Sequence, residues 1–164
     1  MSTRKRTAAK SKPKAKTPKR KACVPKLPMQ RQFDFEEAQG RHFNLRAIFD
    51  KLNARYFRNR IRGYRIIWGR RRRQRPRETV IFGTIQEEDR LIRIHPLLDR
   101  AFVPAWFIDY VVYHEMLHSV VADRYDESGR RIVHHEVFWE KERRFHWFRR
   151  AKAWEQDNLA RFLQ

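Results

Sequence analysis

Apolar residues return every three or four positions between residues 44 and 58, at Leu45, Ile48, Phe49, Leu52 and Tyr56, and this spacing predicts one buried face of a helix. Three short runs of strand composition follow, YRIIWG (64–69), ETVIFGTI (78–85) and RLIRIHP (90–96), separated by an arginine-rich loop and the acidic turn QEED. The short connections predict antiparallel hairpins between neighbouring strands, unless one strand is exchanged. A second helix is predicted over 105–122, with Pro104 at its first position, where the amide proton that proline lacks is not needed. After a polar linker, DRYDESGRR, residues 134 to 162 read as one long amphipathic helix with Phe138, Phe145 and Phe148 on a common face. The order of elements implies an α+β domain in which helices cover one side of a small sheet.

Within the second helix the run VVYHEMLHSVV breaks its own apolar pattern at His114, Glu115 and His118. Residues four apart stand one above the other on a helix, so two imidazoles can reach one metal ion from a single rigid turn. Glu115, turned about 100° from His114, can then act on a water molecule beside the metal without being a ligand, as in the HExxH arrangement of zinc hydrolases. Three ionisable groups among Val111, Val112, Met116, Leu117, Val120 and Val121 are costly to bury unless a metal or other partners hold them. A catalytic tetrahedral site needs a third protein ligand, and the downstream candidates are His134, His135, Glu136 and Glu140. Adjacent side chains point in different directions, so only one of the two histidines is expected to bind.

Composition adds a second theme. Lys and Arg number 39 against 19 acids, a formal charge of +20, which points to a polyanionic partner, with nucleic acid foremost. Residues 1–32 hold twelve of the basic residues and no acid, mixed with Ala, Pro, Ser and Thr, and are expected to form a disordered tail. The folded unit is then 33–164 and still carries a net positive charge. The loop GRRRRQRPR adds Arg70, Arg71, Arg72, Arg73, Arg75 and Arg77, and Arg58, Arg60, Arg62 and Arg65 precede it. Arginine forks suit phosphate oxygens, so nucleic-acid contact through the tail and this loop is expected, without sequence-specific reading. One cysteine, Cys23, excludes an internal disulfide framework, and neither an export signal nor a membrane span is apparent; the chain reads as intracellular.

LNARYF (52–57), YRIIWG (64–69), HEMLH (114–118) and a histidine four residues before a phenylalanine, His134 and Phe138, resemble the SprT-like zinc metallopeptidases, the family that includes Spartan. The resemblance spans about residues 44–148. It implies a small zincin fold without that family's zinc ribbon, one Zn²⁺ per chain and cleavage of proteins associated with or crosslinked to DNA. Matched residue by residue, it implies His114, His118 and His134 as ligands and Glu115 as general base. Val133 and His135 stand where the family has glycines. Tyr113, Tyr125 and the remaining histidine are weak candidates for an oxyanion donor. A nucleic-acid-binding protein with a structural or idle zinc site is the alternative, and a zinc hydrolase acting on something other than peptide is a third.

Overall fold

The computed structural model describes residues 37–70 and 80–163. The expected tail and Arg71, Arg72, Arg73, Arg75 and Arg77 lie outside the described residues. Helix α1 (Leu45–Phe57) is capped by Asn44, whose Oδ1 accepts the Ala47 amide at 3.0 Å, and it buries Leu45, Phe49 and Leu52. Its one buried polar residue, Asn53, is bonded both ways to Ile61: Nδ2 donates to the Ile61 carbonyl at 2.8 Å and Oδ1 accepts the Ile61 amide at 3.2 Å. That pair fixes the turn leading to the sheet.

Strands β1 (Arg65–Trp68), β2 (Gly83–Gln86) and β3 (Leu91–Ile94) form a sheet in the order β1-β3-β2. The expected β2–β3 hairpin is present, but β1 does not pair with β2; it runs parallel to β3, with Ile66 opposite Ile92. The physical reason lies in side-chain burial. In β3 the residues Leu91, Ile92 and Ile94 are all buried, on both faces, whereas β1 buries Ile66 alone and β2 buries none. The strand apolar on both faces takes the centre. Strand β2 begins later than expected, at Gly83; ahead of it Val80 and Phe82 are buried, and the Phe82 carbonyl accepts the His95 amide at 2.7 Å.

Helix α2 (Ala105–His118) is apolar nearly all round and packs against α1, β2, β3 and the two helices that follow. Pro104 caps it from an extended conformation rather than opening it, and the helix ends at His118, four residues before the expected end. Ser119 causes the stop: its hydroxyl donates to the Met116 carbonyl at 2.7 Å, and its amide turns to the same carbonyl. The linker is more ordered than expected. It forms a hairpin of β4 (Arg124–Tyr125) and β5 (Arg131–Ile132) around a turn in which Asp126 Oδ1 accepts the amides of Ser128 and Arg130.

The expected long final helix is two helices, α3 (Glu136–Glu142) and α4 (Phe148–Leu163). The helix gives way to tight turns in which the Arg144 amide donates to the Lys141 carbonyl and the Phe145 amide to the Glu142 carbonyl, both at 3.1 Å, and Phe138 and Phe145 are both buried. Phe145 packs on Tyr113 and Tyr56, while Phe107, Phe162 and Trp154 form a second aromatic cluster. Trp139 and Trp147 are exposed, whereas Trp154 packs against the core. Among the described residues no helix is long and apolar enough to cross a membrane.

Candidate metal centre

The last turn of α2 presents His114 and His118 to one point, and the segment between β5 and α3 brings His134 to the same point. The three Nε2 atoms form a nearly equilateral triangle: 3.3 Å from His114 to His118, 3.1 Å from His114 to His134 and 3.2 Å from His118 to His134. A tetrahedral ion with ligand nitrogens at about 2.0–2.1 Å needs edges of about 3.3–3.4 Å, so this spacing fits one face of such a site. Phe138, fully buried, lies under all three rings, with centroid distances of 5.0, 4.5 and 4.7 Å to His114, His118 and His134. The three residues lie close enough to hold a metal ion.

Protonation favours the same use. Burial, then the neighbouring His114 and His134, pushes the His118 pKa down to about 3, and burial with His114 lowers that of His134. Both imidazoles are therefore neutral near pH 7, with lone pairs available. His114 is oriented from behind: its Nδ1 lies 2.7 Å from Oε1 of Glu142, and the Tyr110 hydroxyl donates to the same oxygen at 2.8 Å. Burial alone would raise the Glu142 pKa; the hydrogen bonds from His114 and Tyr110 outweigh it and hold the carboxyl ionised below its usual range. An ionised Glu142 accepts the Nδ1 proton, which leaves Nε2 of His114 free to coordinate.

His135 takes no part in the triangle. It is buried, with Nε2 donating to the Ala122 carbonyl at 3.0 Å, and so closes the base of the β4–β5 hairpin. Neither Glu136 nor Glu140 belongs to the cluster. Tyr113 is buried and its hydroxyl donates to the Lys141 carbonyl at 2.7 Å, while Tyr125 is exposed on β4; neither lines the cavity. Arg70 is exposed, and Arg65 pairs with Glu37 at 3.3 Å. The Glu115 side chain is 6% exposed and faces the same cavity of about 410 Å³ as the histidines. Burial raises its pKa from 4.5 to about 7, against the opposing pull of His114.

Two residues of the site were missed in the sequence reading. Glu142 stands four residues after Phe138, and an acid on the buried face of an amphipathic helix was the available signal. Gly83 lies against Glu115 so closely that a Cβ there would sit 2.5 Å from Oε1 and 2.7 Å from Cγ. A glycine inside a run of strand residues often marks such an approach. Arg131 closes the rim by pairing with Asp123 and, at 3.6 Å, with Glu87. Removing the support behind His114 should be measurable: Glu142→Ala is expected to weaken metal binding at the three histidines by about 10–100-fold in a chelator competition.

In comparisons with protein families, curated proteins and solved structures, nothing matches the chain.

Proposed function

We propose that the protein is a zinc-dependent endopeptidase with a SprT-like zincin domain, acting on proteins associated with DNA. The observation that carries this reading is Glu115: a buried carboxylate beside three converging imidazoles, facing the same cavity and outside the ligand set. A purely structural site has no use for such a group and closes with four protein ligands, whereas the cluster among the described residues has three. Three imidazole nitrogens at tetrahedral spacing favour zinc.

His114, His118 and His134 would hold the ion. Zinc so bound supplies a Lewis acid that lowers the pKa of water to about 7 and polarises a carbonyl. Glu115 then accepts a proton from the attacking water and delivers it to the departing amine. A peptide as substrate is favoured by β2. Its one strand partner among the described residues is β3, and the His95 amide donates to the Phe82 carbonyl at 2.7 Å. In the alternating ladder this turns the backbone groups of Gly83 and Ile85 away from β3, towards an edge on which an extended chain can add as a strand. The charge of +20 supports DNA as the place where substrates are met.

The reading is tested by incubating the zinc-loaded protein with DNA-bound basic proteins, with and without DNA and with a chelator. Chelator-sensitive cleavage is expected, and an intact substrate under all conditions would overturn the proposal. Gly83→Ala probes the geometry: the added methyl displaces the Glu115 carboxylate, so the variant should fold, bind zinc and lose about 100-fold in kcat. Activity equal to the parent's would show that Glu115 does not work from this position.

A further inference from the structure

At the far end of the sheet the C-terminal ends of α1 and α2 meet the N-terminal ends of β1 and β3. A pocket of about 400 Å³ there is lined by Arg60, Arg62, Arg90, Tyr64, Ser119 and Val120. Among the described residues, none of Arg58, Arg60, Arg62 and Arg90 forms an ion pair. Two of the four occupy backbone positions that favour another residue: Arg58 ends α1 at φ 53°, and Arg90 ends the β2–β3 turn at φ 48°. Glycine or asparagine takes such left-handed positions at lower energy. Arginine at either site therefore carries a conformational cost. Gly63, at φ 76°, lies against Arg90, with a Cβ position 2.9 Å from its Nη1.

We propose that Arg58, Arg60, Arg62 and Arg90 form a phosphate-binding surface for the backbone of a nucleic-acid strand, beside the C-terminal end of α2. Planar guanidinium forks without acidic partners suit phosphodiester oxygens. Helix C-termini also attract cations, but the dipole acts only on the last turn and does not explain Arg62 or Arg90. The acids of the neighbouring turn favour a strand over a membrane. Glu87, Glu88 and Asp89 are exposed in the turn before Arg90, where a broad anionic lipid surface would meet them and a single phosphate chain can pass them. Ser119, which lines this pocket, directly follows His118 in the chain. The surface shares its partner class with the function proposed above and does not depend on cleavage.

The test uses the full chain and a short single-stranded oligonucleotide, followed by fluorescence anisotropy over a range of salt. The variant R60Q/R62Q/R90Q is compared with the parent and with R41Q/R143Q/R149Q, which removes equal charge elsewhere. For the first variant Kd should rise about tenfold or more at low salt and the slope of log Kd against log salt should fall by about 2, with unchanged thermal stability; the second should move Kd by less than about threefold. Equal effects of the two variants, or no effect of the first, would overturn the proposal. So would loss of binding to phosphatidylserine vesicles with oligonucleotide binding intact. An inactive peptidase that still gives the expected shift would count against the enzyme reading alone.

Discussion

Glu115→Gln should keep the fold and one equivalent of zinc and lower kcat for protein cleavage by about 10²–10⁴-fold, the range a positioned general base contributes. Glutamine matches the shape of glutamate and keeps the contact with Gly83, so the loss isolates the proton acceptor from the packing. Metal analysis and a gel-based cleavage assay on the same preparation read both halves of the result. A variant as active as its parent removes Glu115 from the mechanism, and a variant without zinc assigns it to the metal instead. The metal-free proteins give an independent check. With its pKa raised from 4.5 to about 7, Glu115 holds a proton in the folded state that the unfolded chain has released. Its contribution to stability is therefore greatest below about pH 4.5 and declines as pH rises towards 7. Glutamine has no charge to bury, so the variant's melting temperature should gain on the parent's between pH 5 and 8.

Replacing one of two adjacent histidines should decide metal binding. His134→Ala is expected to lose zinc, by more than the 10–100-fold that removal of an outer partner costs, with little change in stability because the side chain is exposed. His135→Ala should do the opposite. It removes a buried imidazole and its bond to the Ala122 carbonyl, and is expected to lower stability by about 1–3 kcal/mol while one equivalent of zinc still binds at saturation. His118→Ala should behave as His134→Ala does. Zinc retained by His134→Ala and lost by His135→Ala would reverse the assignment of the third ligand.

The contrast between those two histidines marks where local reading stops. Leu45, Phe49 and Leu52 announced α1 because a helical period is written in a single stretch of chain. His114 and His118 were legible for the same reason: a rise of 1.5 Å per residue puts them together whatever the rest of the domain does. The hairpin of β2 and β3 followed from a short turn. By contrast, Ser119 ended α2 through a side-chain bond that competes with the helix, and the chain turned after Glu142 although Phe138, Phe145 and Phe148 keep a helical period; neither stop is visible as periodicity.

By itself, then, the sequence determined the α+β class, two of the three histidines with Glu115 between them, and the excess of positive charge, all properties of composition or of residues within one helical turn. Only the tertiary structure decided that β3 lies between β1 and β2, that His134 rather than His135 completes the triangle, that Glu142 stands behind His114 and that Gly83 leaves room for Glu115. His114 lies 20 residues from His134 and 28 from Glu142, and the geometry of such contacts depends on which side chains the core can bury together. A local pattern fixes the direction of a side chain relative to its own helix; packing alone fixes what it meets there.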